Sequence, residues 1–401
     1  MRNPFSLLNQ SFLLSFPLFL AGLFALVTIS GAFAQHGEND TELHQEVNHD
    51  SDSTHHQSSE HTKDPFDAGE MILHHISDAH EIHVIGDFAI YLPVILYTDM
   101  GFKVFSSSHF YHNEQHAKYL KDGVEKNAHY FVYDQYALYH EHIYYLDDSG
   151  ALNIDYNTGE TSNAVVFDLS ITKSVAGILL TCALLIILFG SVAKSYKRRS
   201  GQAPKGIQSF MEPFILFIRD EVAIPSIGAH RADRFMPFLL TVFFFIWIAN
   251  MLGLIPFIGG FNITGTLSVT LVLAAIVFVI TTFSGNKHYW GHLLWPPGVP
   301  TPIKFILVPI EILGIFIKPV VLMIRLTANI TAGHIIILAF VSLILIFGES
   351  SATAGYGVGF GATLFMIFMF FIELLVAFLQ AYVFTLLAAL YFGDATQEAH
   401  H

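Results

Sequence analysis

Between Phe235 and Asn286 the chain runs for 52 residues without one charged side chain. In hydrocarbon a backbone must satisfy its own N–H and C=O groups, which leaves the helix as the natural way to cross. About 20 apolar residues span a bilayer, so this run is long enough for two crossings. Pro256, Gly259, Gly260 and Asn262 place helix breakers near its middle, and a helical hairpin over 235–286 follows. Two further apolar runs, Ile303–Phe347 and Phe360–Phe392, make a second hairpin over 303–393, with its tip near Gly348–Gly359. At about 1.5 Å per residue both of these helices exceed bilayer thickness and must tilt strongly. Ser174–Ala193 is also free of charge, which places a first span within 169–196. The expectation is an all-α polytopic membrane protein of about five spans, with a small β-rich module in front.

Composition agrees: 53% of residues are hydrophobic and 13% charged, too apolar for an ordinary soluble domain. The net charge of −14 belongs mainly to the front end, and a nucleic-acid partner is excluded for want of a basic surface. The one cysteine, Cys182, lies in an apolar run and reads as a small buried hydrophobe.

The front end opens like an exported protein. Arg2, the apolar core Phe12–Ile29 and the small residues of Ala32-Phe33-Ala34 read as a signal peptide over 1–34; an uncleaved anchor is the alternative. Either puts Gln35 outside the cytoplasm. Residues 35–65 are acidic and histidine-rich, with too little apolar material for a core, and are expected to be disordered. His44, His49, His55, His56 and His61 are irregularly spaced, so a solvated tether is preferred to a metal site.

Over 66–168 alternation in Glu81–Leu92, Phe102–His109 and His129–Tyr145 predicts strands. Gly86-Asp87, Asp122-Gly123, Asp148-Ser149-Gly150 and Asn157-Thr158-Gly159 predict turns. His112, His116, His140 and His142 form no defined constellation. The basic run Lys194, Lys197, Arg198 and Arg199 places the end of the first span in the cytoplasm. From there 197–234 reads as a cytoplasmic segment with an amphipathic surface helix over Ile207–Val222. Residues 287–302 read as a cytoplasmic loop and 394–401 as a cytoplasmic tail.

The chemistry concentrates in the last hairpin. Glu311, Lys318 and Arg325 recur at intervals of seven, within about 40° on one helical face, and Asn329 continues the stripe. An arginine in mid-membrane costs roughly 3 kcal/mol on insertion scales and is functional by default. Lys318 and Glu311, nearer the cytoplasmic end, also suit snorkelling to the interface. Together these residues point to passage of a small cation, the proton foremost, with sodium left open.

The run Pro309-Ile310-Glu311-Ile312-Leu313, leading to Ile324-Arg325-Leu326-Thr327-Ala328-Asn329-Ile330-Thr331-Ala332-Gly333-His334, resembles subunit a of the F-type ATP synthase. So do Gln380-Ala381-Tyr382-Val383-Phe384-Thr385-Leu386-Leu387 and the stretch Phe243–Pro256, which contains Asn250. The likeness covers roughly Gly206–Phe392 and leaves residues 1–165 as an extension. It implies a stator wall against a rotating ring of subunit c, a peripheral-stalk subunit b, the remaining synthase subunits and the lipid of a bacterial inner membrane as surroundings. It implies no cofactor, no metal and no ATP site on this chain, since ATP chemistry would occur elsewhere in the complex. Arg325 matches the arginine that faces each ring carboxylate. Glu311 is expected in the cytoplasmic half-channel, with Asn329, His334, Glu373 and Gln380 nearer the outside and Asn250 as a polar packing residue.

Counting from a hairpin tip near 353 sets His334 level with Glu373 and Arg325 level with Gln380, and predicts a His334–Glu373 polar pair. Many bacterial members carry that acid on the first helix and the histidine on the second; here the order is exchanged. Two other function classes compete with this reading. A secondary cation-coupled transporter would show paired repeats and breaks, yet Pro319 has no counterpart in the last helix. A membrane-anchored metal-binding protein leaves Arg325 unexplained.

Overall fold

The computed structural model describes residues 68–69, 71–72, 77–85, 88–121, 124–199, 202–255 and 260–397. The expected signal peptide, the histidine-rich segment and Pro256–Gly259 of the first hairpin tip lie outside the described residues.

The β-rich part contains β1 (Glu81–Ile85), β2 (Phe88–Tyr91), β3 (Pro93–Thr98), β4 (Gly101–Ser106), β5 (Glu114–Lys121), β6 (Val124–Tyr133), β7 (Tyr136–Tyr139), β8 (His142–Tyr145) and β9 (Phe167–Asp168). They pair as β1-β2, β4-β3-β9 and β5-β6-β7-β8, antiparallel throughout. Val94, Leu96, Phe110, Tyr136, Leu138, Ile143 and Val166 form a shared core. The strand expected over Phe102–His109 stops at Ser106, whose hydroxyl accepts from Ser108 N and starts a 3-10 turn at Ser107–His109. The run His129–Tyr145 holds the end of β6 and all of β7 and β8. Tight turns at Asp134, His140 and Glu141, all with positive φ, divide it.

The longer helices that follow among the described residues are α1 (Lys173–Arg198), α2 (Ile207–Phe217), α3 (Ala229–Leu254), α4 (Leu267–Ser284), α5 (Lys287–Leu294), α6 (Thr301–Ser350) and α7 (Ala352–Thr396). Among the described residues α1, α3, α4, α6 and α7 are long and apolar enough to cross a membrane. The most deeply packed is α3, with Leu239, Val242, Phe243, Phe245 and Ile246 fully buried. α2 continues through a π-helical turn, Ile218–Ala223, into Ile224–Ile227. Its Met211, Ile215, Ile218 and Val222 recur on one face and are buried in the helical core. That face lies on the bundle.

Several elements differ from the sequence reading. α3 begins at Ala229, six residues before the charge-free run, because its first turns carry Arg231, Asp233 and Arg234. The segment 287–302 contains α5 rather than loop alone. The second hairpin turns at Ser351, whose hydroxyl accepts from Ala354 N at 3.1 Å. Gly348, Gly355 and Gly359 are helical. A Cβ on Gly355 would meet Gly348 Cα at 2.8 Å, so Gly348 and Gly355 let two helices approach rather than making the turn. α7 also runs past 394 to Thr396, where Asn286 caps it: Asn286 N donates to Ala395 O and its amide to Thr396 O, both at 2.9 Å.

The β-rich part is tied to α1 at one corner. Asp78 accepts from Ser174 N at 2.7 Å and from Thr172 Oγ1 at 2.8 Å, a carboxylate on a helix N-terminus. Lys173 N donates to Ala79 O, and Ile171 N to Pro93 O, so β3 is paired down to the start of the span.

Candidate functional site

Glu311, Lys318, Arg325 and Asn329 lie on one line along α6, and all four are exposed. Arg325 sits near the midpoint of the 50-residue helix and makes no hydrogen bond or ion pair among the described residues. Lys318 reaches α7, with Nζ 3.8 Å from Asp394 Oδ2 and 5.2 Å from the Tyr391 ring centroid. Asp394 and Tyr391 were absent from the sequence reading, because a carboxylate after the last apolar residue looks like solvated tail.

The opposite side of α6 carries a second set of polar groups. Thr327, Thr331 and His334 lie about 120–180° around the helix from the arginine line at 100° per residue. Thr327 Oγ1 lies 2.5 Å from Thr270 Oγ1 on α4, and Thr331 Oγ1 donates to Gly265 O at 3.4 Å. His334 Nε2 faces α3, 3.5 Å from where a Cβ on Gly253 would be. The fold thus gives α6 an inner polar face toward α3 and α4 and an outer one that, among the described residues, is exposed at Arg325 and Asn329 and meets α7 at Lys318.

Glu373 on α7 is 8% exposed. Its carboxylate packs so closely on Gly333 that a Cβ there would overlap Oε1, and its Oε2 has no hydrogen-bond partner. Asn250 on α3 bridges the same region. Its amide donates to Ala377 O at 3.3 Å, one turn beyond Glu373, and its oxygen accepts a short bond from Thr264 Oγ1. Asn250, Glu373, His334 and Thr264 therefore gather where α3, α6 and α7 meet, with Gly333 making room for the Glu373 carboxylate.

Contacts along the hairpin give the depth. Phe340 packs against Phe365, Gly333 faces Glu373 and Lys318 faces Tyr391. His334 is thereby level with Glu373. Arg325 and Gln380 fall in the same interval between the last two contacts. The expected His334–Glu373 pair is another matter: no hydrogen bond or ion pair joins them. His334 turns to α3 while Glu373 turns to Gly333, because equal depth fixes height on two helices but not the direction of either side chain. Gln380 is half-buried and makes no hydrogen bond among the described residues.

Residues 175–393 match the family described as ATP synthase A chain, a stretch that holds α2 to α6 whole and nearly all of α1 and α7. The chain belongs to the ATP synthase A chain family. Residues 71–169 match a domain of unknown function (DUF8433). The chain is similar to ATP synthase subunit a 2 of Chlorobaculum tepidum, 48% identical over 57% of this chain and 64% of that relative. It is also similar to ATP synthase subunit a of Chloroherpeton thalassium, 41% identical over 59% and 69%, and of Chlorobium phaeobacteroides, 41% identical over 59% and 68%. The match thus spans less than two thirds of the first of these relatives. Family and helices together make this a multi-pass membrane protein.

Proposed function

We propose that this chain is the stator component of a proton-translocating ATP synthase, with two offset half-channels that meet at Arg325. The exposed line on α6 is the observation that carries the reading. A guanidinium facing lipid at mid-membrane costs roughly 3 kcal/mol or more, so a helix that presents one outward calls for a partner with a complementary negative charge. A ring of c subunits bearing one carboxylate each is such a partner. A fixed cation favours the deprotonated carboxylate as it passes, and blocks direct proton transfer between the half-channels. Each proton crossing 100 mV makes about 2.3 kcal/mol available for rotation.

In this reading Glu311 serves the cytoplasmic half-channel. His334 and Glu373, with Asn329 and Gln380 beside the arginine, serve the outside one. Asn250 holds α3 to α7 around the path. The β-rich part lies outside the cytoplasm, the C-terminus inside, and the membrane is the bacterial inner one. Subunit b of the peripheral stalk and the remaining synthase subunits complete the surroundings, and ATP is made on those other chains. Native electrophoresis of gently solubilised membranes tests this: the chain should migrate in a large assembly with ATPase activity. Migration as a monomer or dimer without ATPase would favour the secondary transporter.

A further inference from the structure

The sequence shows scattered histidines in the β-rich part, and the β5–β6 hairpin brings two of them together. In its register His116 pairs directly with His129, and Glu114 precedes His116 by two residues. Side chains alternate between faces along a strand, so all three project from the same side. The other side of the hairpin is packed: Ala128, Tyr130 and Val132 are buried, with Ala117 and Tyr119 against them. The backbone beneath the cluster is therefore held while the cluster itself faces solvent.

One ligand atom from each of Glu114, His116 and His129 lies within 4.8 Å of the others. His129 Nδ1 is already 2.8 Å from Glu114 Oε1, and the His116 and His129 rings meet edge to face at 4.5 Å. Zinc bonds to imidazole nitrogen and carboxylate oxygen are about 2.0–2.2 Å, so tetrahedral ligands stand roughly 3.3 Å apart. Closing from the observed spacing needs only rotations of exposed side chains. Lys118, the cation next along this face, is paired with Glu125 at 3.2 Å and so is partly neutralised.

We propose that Glu114, His116 and His129 form a binding site for a divalent transition-metal ion of zinc type. Two imidazoles and a carboxylate are the donor set such ions take, with the remaining position left to water. The ion takes the place of the direct contact between Glu114 and His129 and clamps β5 to β6. The site lies in the β-rich part, apart from the polar path of α3, α6 and α7.

Any zinc taken up by the histidine-rich segment 35–65 would mask this site in a bulk measurement, so the test must report on single residues. The purified full chain is treated with diethyl pyrocarbonate, with and without stoichiometric Zn2+, and modification of each histidine is followed by peptide mass spectrometry. Zn2+ should slow modification of His116 and His129 together. In His129→Ala the protection of His116 should be lost, and Glu114→Gln should shift it to at least ~10–100-fold higher zinc, the loss known even for outer-shell partners. All three residues are exposed, so neither variant removes core packing. Equal modification of His116 with and without Zn2+, or undiminished protection in His129→Ala, would show a hydrogen-bonded surface pair and overturn the proposal.

Discussion

The corner that joins the β-rich part to α1 should open as pH rises. His80 is 2% exposed, with Nε2 3.0 Å from Asp168 Oδ2 and Nδ1 3.9 Å from Glu141 Oε2. At 3.9 Å the second contact is a charge pairing rather than a hydrogen bond. Burial pulls the imidazole pKa down, but the Asp168 hydrogen bond and the two carboxylate charges outweigh it and raise it above its ordinary value. Burial pushes the Asp168 carboxyl up, and the hydrogen bond and charge of His80 together with the two Ser170 hydrogen bonds more than reverse this, leaving it below the usual range. A raised histidine contributes stability that is whole below its ordinary 6.5 and is lost as pH climbs through its folded value. Across that window the closed corner holds one proton that the open one releases, so the opening free energy falls by about 1.4 kcal/mol per pH unit. The Asp168 contribution is lost only on acidification, outside this window. Hydrogen exchange of the Leu169, Ile171 and Lys173 amides, all donated across this corner, reads the opening once the intrinsic pH dependence is removed. His80→Gln should abolish the slope, and it should cost about 3–5 kcal/mol at neutral pH because it leaves a buried carboxylate without its charge partner. A slope unchanged in His80→Gln would refute the reasoning.

Asn250→Leu strands the Thr264 hydroxyl and should cost about 1–3 kcal/mol in thermal unfolding of the solubilised protein; adding Thr264→Val should cost little more. Gly393→Ala puts a methyl against the Ser226 backbone carbonyl, which has little room to yield, and the same assay should show a loss of about 1–3 kcal/mol. His334→Leu and Glu373→Leu should each slow proton flow in reconstituted vesicles. Because the two residues face different neighbours, the exchange His334→Glu with Glu373→His should do no better than the worse single change.

Length and hydropathy made the spans legible, since few structures other than a helix accept 52 uncharged residues. The outward line on α6 was equally readable, because a seven-residue interval fixes a helix face without knowledge of any neighbour. What lay beyond reach depended on neighbours. Gly253 and Gly333 look like helix weaknesses until the Phe261 carbonyl and the Glu373 carboxylate are seen to fill the space above them. Gly348 and Gly355 carry the turn residue's signature, yet they serve helix contact while Ser351 makes the break. β5 escaped notice because Glu114, His116, Lys118 and Lys121 outnumber its apolar residues, and its strand character comes from pairing with β6. The His116–His129 contact follows from that pairing and has no trace in linear spacing.

Arg325 carries the central claim, as the exposed cation at the middle of α6. Vesicles bearing Arg325→Ala, matched to wild type for the amount of assembled complex, should make no ATP from an imposed proton gradient. Arg325→Lys should restore little, because a compact ammonium lacks the planar delocalised charge and gives up its proton more readily when buried. Near-normal synthesis in Arg325→Ala vesicles would contradict the account.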